Sequence, residues 1–163
     1  MALNLPSNYE RMTRTARDIT TAYCRQVAAL PWRRGTKGEV EVLLVTSRTN
    51  AKWMLPKGWP MPEIGDAAAA MLEAHEEAGI RGNVAVAPIG SYHFIKLFDD
   101  GTSKPAQAVI YSLRVTEQHK KWDEKAQRQR RWFSAKKAAK AVFEPDLARF
   151  LRNLASDRVI LAK

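Results

Sequence analysis

The chain predicts an α/β fold with helices on both sides of a mixed β-sheet, and three observations predict it. Glu39–Thr46 holds a near-continuous apolar run, Val42-Leu-Leu-Val45, of strand length, as expected of a central strand buried on both faces. Asp66–Gly79 is an Ala-rich helical stretch that follows a Gly/Pro loop and ends in glycine. A second helical region comes only after several further strand-like segments, which is the element order of an α/β/α sandwich.

Residues 1–20 are polar and mixed in charge and read as an N-terminal arm, with a short helix over Tyr9–Ile19. The domain proper is expected over 21–156, followed by a tail at 157–163. Tyr23–Trp32 alternates and reads as a strand, Arg33–Gly38 as a charged turn, and Glu39–Thr46 as the second strand. Ser47–Lys52 is a loop and Trp53–Pro56 a short extended piece. Lys57–Gly65 contains Pro60 and Pro62, so it is read as a shaped non-helical loop. Asp66 is placed at the N-cap of a helix over Ala67–Ala78, which Gly79 ends at the C′ position. Val84–Ala87, Gly90–Phe98 and Ala106–Thr116 are expected strands, the last two joined by a turn at Asp99–Thr102. Lys120–Gln127 is a polar loop and Arg130–Phe133 a short strand. Ser134 caps a helix over Ala135–Val142, and Pro145 opens another to about Ala155.

A chain of 163 residues with 45% hydrophobic content suits one domain with a sizeable core. Its apolar runs are too short to span a bilayer, and the first residues have no signal-like apolar core. Cys24 is the lone cysteine, so it forms no intramolecular disulfide, and a reducing, cytoplasmic setting is expected. The 27 Lys+Arg against 17 Asp+Glu give a formal charge of +10, which favours polyanionic partners, whether phosphorylated small molecules, RNA or an acidic membrane surface, without choosing among them.

Against this basic background stands Glu73-x-x-Glu76-Glu77-x-Gly79. Carboxylates at i, i+3 and i+4 share one helix face and repel each other. A hard divalent cation, Mg²⁺ or with the same ligands Mn²⁺, removes the conflict. Glu73 and Glu77 are read as metal ligands because i and i+4 project together, and Glu76 as proton acceptor or second ligand. Whether Glu76 or Glu77 is the base stays open. His75 falls off that face and is read as exposed or packing. His93 could face either way along its strand. Trp53 and Trp132 read as core, and Trp59, in the loop beside the glutamates, as the better candidate for ligand contact.

Residues 58–80 resemble a Nudix box. Gly58, Glu73, Ala74, Glu76, Glu77, Gly79 and Ile80 fall in register, whereas Ile64 and Leu72 stand where the family has Glu and Arg. Val42–Arg48, Trp53–Gly58, Trp122-Asp-Glu124 and Arg128–Phe133 are similar to the diphosphoinositol polyphosphate phosphohydrolase and diadenosine polyphosphate hydrolase branch. The resemblance implies the Nudix α/β/α sandwich and Mg²⁺-dependent cleavage of a diphosphate linkage. It implies a diadenosine polyphosphate, an inositol pyrophosphate or a nucleotide as substrate. It implies catalytic Glu76 and Glu77, metal ligands Glu73, Glu76, Glu77 and the Gly58 carbonyl, and phosphate contacts from Arg48, Lys57, Arg128 and Arg130. Lys104–Gln107 lacks the His and Arg that this branch places there. The competing expectation, motivated by Ile64 and Leu72, is a catalytically weak domain that binds nucleotide or RNA as a sensor or partner.

Overall fold

The computed structural model describes residues 23–156 and residue 161; the helix expected at Tyr9–Ile19 lies outside them. The sheet contains β1 (Cys24–Arg34), β2 (Val40–Thr46), β3 (Trp53–Met54), β4 (Lys57–Gly58), β5 (Ile80–Val84), β6 (Gly90–Leu97), β7 (Ser103–Gln118) and β8 (Arg130–Ser134). The helices are α1 (Asp66–Ala78), α2 (Ala135–Ala141) and α3 (Pro145–Ser156).

The strand β1 is the pivot. It runs parallel to β7 from Cys24↔Ala106 to Trp32↔Arg114. Its other edge is shared between β2 (Trp32↔Val42) and β4 (Val27↔Gly58), both antiparallel. The long β7 carries β6 along its first half and β5 along its second. The sheet is therefore mixed, as expected, with β1 and β2 internal.

Alternation along these strands divides the core in two. Val27, Ala29, Leu43 and Val45 pack beneath α1 with its Ala69, Ala70, Ala74 and Ala78. Ala28, Leu30, Val42 and Leu44 point the other way, towards Leu147 and Leu151 of α3. That is why the Val42–Val45 run carries no polar residue: both faces are covered. The four alanines leave α1 without bulk on its inner side, so its backbone lies close to the sheet.

Three local expectations are corrected. Asp66 is the first residue of α1, not its cap; Gly65 stands at the N-cap with φ 84°, and no side chain caps the helix there. The Asp66 carboxylate instead pairs with the Arg25 guanidinium on β1 and accepts from the Tyr111 hydroxyl at 3.4 Å. A charged partner outcompetes a backbone N–H. The strand expected at Val84–Ala87 lies earlier, at Ile80–Val84, because left-handed Gly79 (φ 64°) turns the chain from the helix directly onto the edge of β7. Lys57–Gly58, expected in a loop, forms β4, since β2 leaves the first half of that β1 edge free to pair. The other elements lie within a few residues of the expected bounds, and Ser134 accepts from Lys137 N–H at the start of α2 as its cap.

Candidate active site

Helix α1 directs Glu73, Glu76 and Glu77 into a cavity of about 580 Å³ that is also lined by Gly58 of β4. Gly58 brings its backbone close to the site: a Cβ there would sit 2.2 Å from the Glu73 carboxylate and would have to push it aside. The backbone of β4 is thus pressed against the acidic face of α1, and the Lys57 N–H donates to Glu77 Oε2 at 3.4 Å.

The segment between β7 and β8 clasps the C-terminal end of α1. Trp122 Nε1 donates to the Glu77 carbonyl at 3.0 Å, the Glu124 N–H to that of Glu76 at 3.2 Å, and the His119 N–H to that of Gly79 at 2.8 Å. Arg130 donates to the carbonyls of Ala78 and His119, both at 2.7 Å, and stacks on Trp122 at 3.9 Å. Cations at a helix C-terminus complement its dipole. Gly79 accommodates the same clasp, because a Cβ there would meet the Trp122 ring at 2.7 Å.

The clasp delivers Glu124 and Arg128 to the site. Arg128 Nη2 lies 3.3 Å from Glu77 and 3.4 Å from Glu124, and Nη1 donates to the Thr46 carbonyl at 2.9 Å. The side chains of Arg128 and Glu77 are each only 6% exposed. Arg48 reaches Glu124 at 3.6 Å and stays largely in solvent.

Burial pushes the Glu73 carboxyl up to about 7, with Glu76 and Glu124 adding repulsion. Burial also raises Glu77, against the pull of Arg128 and Lys57. The Lys57 amine is lowered by burial and drawn back by Glu77. Carboxylates held back from ionising chiefly by burial, with like charge beside them, are a donor set suited to a hard divalent cation. Among the described residues no three acidic, His or Cys groups have already converged as a ligand cluster, and Glu77 is engaged by Arg128. The residue types fit the ion, and Glu77 would have to share itself between ion and guanidinium.

The structure brings together Gly58, Glu73, Glu76, Glu77, Arg48, Lys57 and Arg128 of the expected site. Arg128 is an internal ion partner there rather than a free cation. Arg130, expected among the phosphate contacts, is absent from the cavity lining; its guanidinium is occupied by the Ala78 carbonyl that ends α1 and by the His119 carbonyl of the clasp. Glu124 is the residue that sequence reasoning missed. Its signal was the Trp122-Asp-Glu124 segment, which had been matched without a role. Trp59 and Trp53 line the cavity, whereas Trp132 lies under Arg33 at 4.0 Å, away from it. The His75 ring packs edge-on against His119 at 5.6 Å, and that of His93 against Tyr23 at 5.6 Å; neither lines the cavity.

The NUDIX domain family model matches residues 23–154. Human diphosphoinositol polyphosphate phosphohydrolase 3-beta is 30% identical over 135 residues, covering 80% of this chain and 77% of its own. Arabidopsis thaliana Nudix hydrolase 12, mitochondrial, is 30% identical over 127 residues; the match takes in 74% of this chain but only 63% of that protein. Among solved structures, the C. elegans Ap4A hydrolase binary complex aligns with TM-score 0.61 at 20% identity over 82% of this chain and 96% of that one. This last likeness is one of fold alone.

Proposed function

The chain belongs to the NUDIX domain family, as a Nudix-type pyrophosphohydrolase, and we propose that it cleaves a diphosphate linkage in a highly phosphorylated small molecule with Mg²⁺ bound at Glu73, Glu76, Glu77 and the Gly58 carbonyl. One observation carries this reading: three mutually repelling glutamates of α1 line a cavity together with Glu124, with the Gly58 backbone of β4 close against the Glu73 carboxylate. A fold under no functional demand would not retain that repulsion.

The bound ion would polarise water and screen phosphate oxygens. The chain does the rest. The Glu76 carboxylate, with no hydrogen-bond or ion-pair partner among the described residues, is suited to accept a proton from the attacking water. Arg128 holds Glu77 in place. Arg48, exposed at the rim, and Lys57, inside, are the cations available to phosphate oxygens. The water oxygen bonds to phosphorus, the bridging P–O bond breaks, and two phosphate products leave.

The test is product release from dinucleoside polyphosphates, an inositol pyrophosphate, nucleoside triphosphates and nucleotide sugars with Mg²⁺ or Mn²⁺. Glu77→Gln is expected to lower turnover by about 10² to 10⁴-fold while the protein stays folded. The second reading, a binding domain with weak catalysis, draws on Glu77 being held by Arg128 and on Ile64, 50% exposed, in place of a box glutamate. Tight ligand binding with no turnover by folded, metal-loaded protein would favour it. As for compartment, Cys24 is free, and among the described residues no helix is long and apolar enough to cross a membrane. The cytoplasm is the setting we infer, from the lone cysteine.

A further inference from the structure

The cavity has a second part that the hydrolytic groups do not use. Gln26 of β1 lines it, is 2% exposed, and leaves its side-chain oxygen without a partner among the described residues. Strand register explains the setting. Gln26 pairs with Ala108 of β7, which pairs with Tyr92 of β6. These three residues form one row on the face opposite α1. Ala108 and Tyr92 are packed in the core and do not line the cavity, and the Tyr92 hydroxyl is also buried and unpartnered among the described residues. The Lys57 amine enters the same cavity with no carboxylate within ion-pair distance among the described residues. Its neighbours are Met54 Sδ at 3.8 Å and the Phe94 ring at 4.8 Å. Buried polar groups are normally paired, and the orphaned Gln26 oxygen in the cavity wall is the arrangement of a site completed by a ligand.

The surroundings narrow the ligand. Phe94, Trp53 and Met54 give apolar and aromatic surface, and Trp59 and Phe143 are exposed at 47% and 63%. Such surface stacks on a flat heterocycle and gives nothing to a phosphorylated polyol. The charge points the same way. Five cationic side chains and six carboxylates line the cavity, although the whole chain carries +10. A densely phosphorylated ring needs a cationic bowl, whereas a short polyphosphate with bound metal does not. A carboxamide, with donor and acceptor side by side, matches the paired edge of a nucleobase, in the way glutamine pairs with adenine.

We propose that Gln26 is the specificity-determining residue of a nucleobase subsite in this cavity, so that the diphosphate substrate is a nucleoside or dinucleoside polyphosphate. This rests on the hydrolase reading for its diphosphate part, but the base subsite is separately measurable.

The experiment is calorimetric titration of the full chain, with Mg²⁺, using α,β-methylene-ADP, inorganic pyrophosphate and inositol hexakisphosphate as probes. Wild type is expected to bind the nucleotide at least about tenfold more tightly than pyrophosphate. Gln26→Leu, close in shape but without hydrogen-bonding groups, is expected to lose about tenfold for the nucleotide and less than about twofold for pyrophosphate. Gln26→Glu presents only acceptors and should turn base preference from adenine towards guanine or cytosine, whose edges donate. It provides the test should Gln26→Leu fail to fold. Equal binding of nucleotide and pyrophosphate, tightest binding of the inositol phosphate, or nucleotide affinity indifferent to both substitutions would overturn the subsite. Nucleotide binding that depends on Gln26, with no turnover of any diphosphate, would keep the subsite and remove the hydrolase reading.

Discussion

The two parts of the cavity differ in how they are built. The acidic wall comes from one helix: Glu73, Glu76 and Glu77 lie within five residues, and α1 alone fixes their common face. The floor is assembled from Gln26 on β1, Lys57 on β4 and Phe94 on β6, which only the sheet register unites. The wall concentrates like charge and the floor leaves polar groups unpaired, so each carries a cost that binding would relieve. One cost is local and visible in periodicity; the other is long-range and visible only in three dimensions.

The sharpest way to break the wall is at Arg128, the buried cation that offsets Glu77 and Glu124. Arg128→Met removes one partner of a buried pair and leaves carboxylates behind. The expected loss is about 3 kcal/mol of folding stability in the metal-free protein, read by urea denaturation, with Mg²⁺ recovering part of it. A loss below about 1 kcal/mol would mean that Glu77 simply protonates, and that the pair does not order the wall.

Next in size is Arg130→Ala. Short bonds to the Ala78 carbonyl at the helix end and to the His119 carbonyl of the clasp, and a stack on Trp122, would be lost, at about 2 kcal/mol. Ligand affinity measured by calorimetry should change little, since Arg130 does not line the cavity. A large fall in affinity without loss of stability would restore the phosphate role expected from the sequence.

These two arginines show where legibility ended. Sequence alone placed both in one cationic segment, and nothing in a run of Arg-x-Arg tells which side chain turns towards the glutamates and which towards the end of α1. Most elements were legible from alternation, from the prolines and from Gly79. The Asp66 cap was misread because its competitor, Arg25, is far away in sequence. The Ile80–Val84 strand was misplaced because its apolar content is slight and its pairing with β7 defines it. Glu73, Glu76 and Glu77 were legible because one helix carries them. Glu124 was not, because a loop with no periodicity carries it, and Gln26 was not, because a lone Gln within a strand has no signal until its neighbours are known.

A smaller effect is expected from pH. The Glu73 carboxyl, raised from the usual 4.5 to about 7 chiefly by burial, keeps its proton in the folded state after the unfolded chain has released it. The folded state then binds more protons, so stability falls as pH rises across that interval and levels off above it. Because Glu73 is only partly buried, solvent screening reduces the size of the change. Thermal unfolding of the metal-free protein should therefore show Tm declining between about pH 4.5 and 7, a decline that Mg²⁺ suppresses. Glu77, also raised by burial, adds a decline of the same sign, so Glu73→Gln should reduce this dependence rather than abolish it, and an unchanged slope in that variant would assign it to Glu77.

Arg48 marks the limit of the comparison, because it belongs to the wall by position and to solvent by exposure. Its side chain is 61% exposed and meets Glu124 only at 3.6 Å. Exposed pairs of this kind contribute roughly 0.5 kcal/mol or less, so Arg48→Ala should leave the denaturation midpoint almost unchanged. The absence of a structural role is what makes the position informative. With Glu124 as its sole ion-pair partner among the described residues, the guanidinium is available at the cavity rim for phosphate oxygens. Arg48→Ala should raise KM several-fold, Arg48→Lys should restore part of that, and the effect should weaken as salt increases. An unchanged KM would leave phosphate recognition to the other cavity cations and the metal, with Arg48 as surface charge.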